Sequence, residues 1–118
     1  MIVCVTGGRD YTDKEALWSR LDELNASDPI HWIVHGGARG ADQLAGEWAE
    51  EHGLASRVFR VTREEKRLYG TRAGISRNKR MVNYLSKLKN PVLLVCSGKR
   101  SKDIQHRAGR NPAIRILS

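Results

Sequence analysis

Three short stretches carry the residue types that hold an anion: Thr6-Gly7-Gly8-Arg9-Asp10, Gly36-Gly37-Ala38-Arg39-Gly40-Ala41-Asp42 and Ser97-Gly98-Lys99-Arg100-Ser101. In each, glycine or another small residue follows a β-prone apolar run, and a helical pattern comes next. Glycine lets the backbone approach a ligand closely and reaches φ values that other residues avoid. Free N–H groups at the start of a helix, with the helix dipole behind them, attract phosphate. Arg9, Arg39 and Lys99 set a cation beside each turn. One such turn is explained by the need for a tight connection. Three at one sheet edge, each with a cation, point to an anionic ligand.

Other residues extend this set. Arg77 and Asn78 are expected to open a helix, where a guanidinium opposes the dipole and so calls for a partner such as phosphate, which it can grip with two nitrogens. Tyr11 and Tyr69 are of a type that stacks on a base. Asp10 and Asp42 end turns after adjacent strands, and two carboxylates in one cleft are the equipment of glycosidic hydrolysis. The structural reading of this pair is stronger. Asp10 suits a turn, and Asp42 suits the first turn of a helix, where it could also accept from ribose hydroxyls. His35 reads as structural, Met81 and the three tryptophans as core packing, and Cys4 and Cys96 as small buried hydrophobes. His31, His35, His52 and His106 are scattered and there is no CxxC, so neither a metal site nor a cofactor is expected.

The elements that must position these residues are punctuated by glycine and proline. Ile2–Thr6 is a first strand. Thr12-Asp13-Lys14-Glu15 has capping-box spacing before Leu17, Leu21 and Leu24, which repeat with the period of a helix. Ile30–Val34 is a second strand. Ala41, Leu44, Ala45, Trp48 and Ala49 mark a second helix, and residues 56–61 a third strand. Residues 62–74 read as a long polar loop of the kind that carries function. A third helix from near Ser76 turns Met81, Tyr84, Leu85 and Leu88 inward and ends before Pro91. Val92–Cys96 is continuously apolar, as buried parallel strands are. Ser101 can cap a fourth helix that Gly109 ends, and Ala113–Leu117 is a last strand. Strand and helix in alternation predict an α/β three-layer sandwich with a five-stranded parallel sheet of order 3-2-1-4-5, whose ligand site lies outside the carboxyl ends of the strands.

Length and composition agree with this. A chain of 118 residues at 40% hydrophobic and 29% charged is one globular domain, residues 1–118. No apolar run approaches the roughly 20 residues of a membrane helix, the start of the chain reads as a strand rather than a signal peptide, and two cysteines make no disulfide scaffold. A cytoplasmic protein with no membrane partner is the expectation. The net charge of +8 is uneven: residues 1–56 hold 4 Lys/Arg against 10 Asp/Glu, and residues 57–118 hold 17 against 3. A basic half suits an anionic partner or a solvated face. If Arg9, Arg39, Arg77 and Lys99 converge on one small phosphorylated ligand, then Arg60, Arg63, Lys66, Arg67, Lys87, Lys89, Arg107 and Arg110 are expected on other faces, and nucleic acid should bind only weakly.

Two familiar nucleotide motifs are absent. GxGxxG would need glycine where His35 stands, and GxxxxGK[ST] does not occur. Taken together, Val5–Tyr11, the block His35-Gly36-Gly37-Ala38-Arg39-Gly40-Ala41-Asp42 with Leu44-Ala45 and Trp48-Ala49 after it, and Ala73–Met81 resemble the YspA-type branch of the SLOG superfamily. That superfamily also holds the LOG phosphoribohydrolases and the DNA-processing protein DprA. The resemblance covers essentially the whole chain and implies a Rossmann-like fold. It also implies a nucleotide or nucleotide-derived ligand at the glycine turns, held by a sensing or sequestering domain that could be a homo-oligomer. Cys96–Ser101 stands where relatives tend to carry a PGGxGT-like turn. Ile104 stands where LOG enzymes place a catalytic glutamate, and an alkyl side chain transfers no proton. The resemblance therefore implies binding before N-glycosidic cleavage.

Overall fold

A computed structural model describes residues 1–96 and 102–118. Five parallel strands lie in the order β3-β2-β1-β4-β5: β1 (Ile2–Thr6), β2 (Trp32–His35), β3 (Ala55–Val58), β4 (Pro91–Val95) and β5 (Arg115–Leu117). This is the predicted α/β topology. β1 is the central strand, with Val3 opposite Ile33 on one side and Val92 on the other. Its alternation sorts the core. Val3 and Val5 face the layer of α1 (Lys14–Ser27) and α2 (Ala41–Glu51), packing with Leu17, Leu21 and Trp48. Ile2 and Cys4 face the layer of α4 (Ala73–Ser86) and α5 (Lys102–Gly109), packing with Met81, Leu85 and Ile104. Apolar residues are needed on both faces, which is why β1 and β4 lack polar alternation.

The polar stretch after β3 is not a loop. Residues Arg63–Tyr69 form a helix, α3, and a single 3-10 turn at Gly70–Arg72 passes the chain into α4. The local cause is a reciprocal capping box. Thr62 N donates to Glu65 Oε1 (2.9 Å), and Glu65 N donates to Thr62 Oγ1 (3.0 Å). The spacing at Thr12–Glu15 does not form such a box. Asp13 caps α1 instead, accepting from Ala16 N at 3.1 Å, because a carboxylate at the N-cap outcompetes the threonine before it. β3 ends at Val58, three residues before the expected end; Phe59 N still donates to His35 O (2.8 Å), and its side chain packs on the α4 side. α4 begins at Ala73 rather than near Ser76, so Arg77 and Asn78 sit inside the helix, not at its opening. No helix among the described residues is long and apolar enough to cross a membrane.

Candidate functional site

A cleft of about 960 Å³ opens at the carboxyl ends of β1 and β2, roofed by the chain between β3 and α4. This volume lies within the usual range of about 300–1,000 Å³ for small-molecule sites. Thr6 and Gly7, the turn Gly36-Gly37-Ala38, and Asp42 form one wall. Arg60, Lys66, Gly74, Arg77 and Asn78 contribute to the other, and Arg9 and Asp103 also line the cleft.

The first wall is backbone held in place by small residues and buried polar groups. A Cβ on Gly7 would sit 2.7 Å from Ala41 Cβ and 2.8 Å from Cys96 Cβ, so only glycine lets the end of β1 pass between α2 and the end of β4. Gly40 has φ +80° and ψ −128°, and a Cβ there would strike the carbonyl of Gly8 and come within 2.9 Å of the Arg9 backbone. The turns after β1 and β2 are thus stacked on each other. Asp42 turns back from the first turn of α2, and its Oδ2 accepts from Gly36 N (3.0 Å) and Ala38 N (3.2 Å). Among the described residues its Oδ1 carries no hydrogen bond. Burial pushes the Asp42 carboxyl up from its ordinary value, against the pull of those two N–H groups and of Arg77. His35 Nδ1 accepts from Gly37 N at 3.0 Å, which requires a neutral ring, and burial followed by the charge of Arg60 lowers its pKa to about 4. His35 is structural, in agreement with the sequence reading.

The second wall is made of long side chains. Arg77 Nη1 donates to the carbonyls of Gly36 (2.8 Å) and Phe59 (3.4 Å), and Nε donates to Asn78 Oδ1 (2.9 Å). The partner that its charge demands is therefore first of all the backbone of the facing wall. Burial draws the Arg77 pKa down, opposed chiefly by Asp42. Buried Asn78 continues the chain through Nδ2 to Asp103 Oδ2 (3.2 Å), which Arg107 Nε also holds at 2.9 Å. Arg60 Nη1 reaches Gly37 O at 3.3 Å. α3, which brings Lys66 to the cleft, is pinned to α4 by Arg80 against Glu65 (2.8 Å), and this ion pair, with the capping N–H, takes Glu65 down to about 2. Among the described residues, four cations thus line the cleft with two carboxylates, one of which, Asp103, is already paired.

Of the residues singled out in the sequence, Thr6, Gly7, Arg9, Gly36, Gly37, Ala38, Asp42, Arg77 and Asn78 line the cleft. Gly8 is buried and Gly40 supports the turn stack from behind. Asp10 and Arg39 are exposed and outside the lining, so Asp10 and Asp42 do not face each other across it. Tyr11 is half-buried against the α1–α2 core and pairs with the Cys96 side chain, rather than lining the cleft. That contact accompanies a Cys96 thiol raised by burial to about 11. Ser97, Gly98, Lys99 and Ser101 lie outside the described residues. Ile104 is core, 1% exposed. The set of cations changes as well. Arg60 and Lys66, assigned to other faces, line the cleft. Gly37 has φ +76°, and a Cβ there would lie 3.0 Å from Val58 Cγ1, so the backbone requires glycine whether or not a ligand approaches. The signal for the second wall is the Thr62–Glu65 spacing, which marks a helix start within a stretch whose polarity alone suggests a loop.

A parallel doubly wound sheet with its cleft outside the strand ends defines a Rossmann-like α/β protein. Residues 1–65 match the YspA, cpYpsA-related SLOG family, more than half of the chain, and the protein belongs to that family. Over 85 residues it is 42% identical to the Gene 61 protein of Mycobacterium phage D29, a match that takes in 68% of this chain and 66%, just under two thirds, of that protein. No solved structure matches.

Proposed function

We propose that the cleft binds a nucleotide or nucleotide-derived ligand and that the domain senses or sequesters it without cleaving it. The observation that carries this reading is the pairing of cations with a free acceptor. Arg9, Arg60, Lys66 and Arg77 converge around glycine turns, while Asp42 Oδ1 in the same cleft has no donor among the described residues. Phosphate satisfies the cations, and a ribose hydroxyl satisfies the carboxylate. Against cleavage, Asp42 is committed through Oδ2 to its own turn, and no second carboxylate stands free beside it among the described residues: Asp103 is held by Asn78 and Arg107.

Isothermal titration calorimetry with nucleoside monophosphates tests this. The Arg9→Ala/Lys66→Ala double variant changes two exposed residues and is expected to melt at the wild-type temperature. It should bind at least about tenfold more weakly, from the loss of charge-assisted contacts. Undiminished binding by that variant would overturn the assignment. Chromatography of long incubations supplies the second arm: release of free base, abolished by Asp42→Asn, would make the protein a hydrolase instead.

A further inference from the structure

We propose that the groove between α4 and the end of α5 is a second anion site, taking a small molecule through its phosphate group and independent of the cleft. The groove has a volume of about 360 Å³ and, among the described residues, shares none with the cleft. Lys79 and Asn83 come from one stripe of α4, with Val82 as an apolar wall, and Arg107, Arg110 and Asn111 face them from the end of α5. Among the described residues no carboxylate lines it, and of its three cations only Arg107 has an acid partner, Asp103, which lies outside the groove lining.

Two of these cations are already oriented. Arg107 engages Asp103 through Nε alone, at 3.2 and 2.9 Å, and among the described residues neither of its Nη groups has a hydrogen-bond partner. A guanidinium fixed at Nε presents its two terminal nitrogens as a preset fork, the geometry that fits phosphate. Arg110 Nη2 lies 2.9 Å from His106 Nε2. Arginine can only donate, so that nitrogen accepts and the contact ties down one edge of the guanidinium without neutralising it. Lys79 has no intrahelical acid to pair with: positions three and four residues away are Ile75, Ser76, Val82 and Asn83, and α4 contains no Asp or Glu. Preorganised donors lower the entropy that a bound anion must overcome. The small volume favours one phosphate-bearing molecule over a polyanion, which needs several spaced contacts for affinity.

The test uses inorganic pyrophosphate and the whole chain, followed by amide chemical shifts and calorimetry. Saturable shifts are expected at residues 79–86 and 107–111. The Lys79→Ala/Arg110→Ala variant, with an unchanged melting temperature, should weaken that binding at least tenfold, and Arg9→Ala/Lys66→Ala should leave it intact. Absence of saturable shifts in the wild type, or their survival in Lys79→Ala/Arg110→Ala, would overturn the proposal. A single-stranded oligonucleotide that displaces pyrophosphate from the groove with a steep salt dependence would assign the groove to nucleic acid and overturn it equally. Loss of the groove shifts in Arg9→Ala/Lys66→Ala would overturn the independence of the groove, whereas loss of nucleotide binding in that variant with the groove shifts intact supports it, so the two readings fail separately.

Discussion

The two walls of the cleft face each other but are built on different physics. The wall of residues 6–42 is close-packed backbone: Gly7 and Gly40 are glycine because neighbouring atoms leave no room for a Cβ, and Asp42 and His35 close the turn from inside. The wall of residues 60–81 is spanned by arginines and a glutamate that reach across gaps, and its atoms are partly wet. Steric exclusion is short-ranged and unforgiving, while ion pairs stretch, rehydrate and exchange partners at modest cost. A ligand entering here would meet one face that is already shaped and another that can adjust.

The largest expected effect breaks the first wall. Gly40→Ala combines a forbidden φ/ψ with a collision against the Gly8 carbonyl, and should cost about 3 kcal/mol in urea denaturation. Gly53→Ala is the control. Its φ of +68° is similar, but among the described residues nothing lies within 4 Å of a Cβ there. It should cost only about 1 kcal/mol, the conformational part alone. Equal losses in the two variants would show that the stacking of the turns contributes nothing.

Acid separates the walls next. His35 is held neutral in the folded protein with its pKa lowered to about 4, whereas the unfolded chain takes up the proton near 6.5. The unfolded state binds more protons across that window, so this contribution is complete above pH 6.5 and is lost as pH falls towards 4. Asp42, raised from 3.8, works the other way: its contribution is greatest below 3.8 and is lost as pH rises through its folded value. Glu65, lowered to about 2, stabilises fully above 4.5 and fails only between 4.5 and 2. The first wall should therefore soften before the second. Between pH 7 and pH 5 the wild type is expected to lose up to about 2 kcal/mol more than His35→Asn, which keeps an acceptor at the δ position and cannot titrate. Parallel stability curves for the two proteins would refute this.

The smallest effect belongs to the second wall. Glu65→Gln keeps the capping geometry and removes the charge facing Arg80, whose side chain is 40% exposed. A loss of about 1 kcal/mol is expected, with faster amide exchange confined to α3. A loss as large as that of Gly40→Ala would mean that the ion pair is as rigid as the turn stack.

This contrast also explains which parts of the molecule are legible in its sequence. Strand order and the first wall are, because their determinants are local: apolar runs bounded by glycine, then a helical period. The second wall is not, since Arg77 finds its partners at Gly36 and Phe59, and Arg80 finds Glu65, across distances that no periodicity encodes. Polarity at residues 62–74 imitates irregularity, although the Thr62–Glu65 pair marks the helix in plain sight. Tyr11 shows the converse error. An aromatic beside a glycine turn suggests stacking on a ligand, but its position against Cys96 depends on where β4 ends.

The central place of β1 has a consequence for how this protein comes to exist. Ile2–Thr6 pairs on one side with β2, which follows after a single helix, and on the other with β4, which begins only at Pro91. During synthesis the half-sheet β3-β2-β1 can assemble while the β4 side of β1 still presents a row of unpaired N–H and C=O groups, and while Ile2 and Cys4 await the cover of α4 and α5. Such an open apolar edge is a template for a neighbouring nascent chain. Closing it requires the least local contact in the sheet, so the slow step of folding falls at the β1–β4 seam, after most of the polypeptide has left the ribosome. Ribosome-bound chains whose emerged part ends before Pro91 should accordingly be more prone to self-association and to protease attack than those in which Val95 has cleared the exit tunnel.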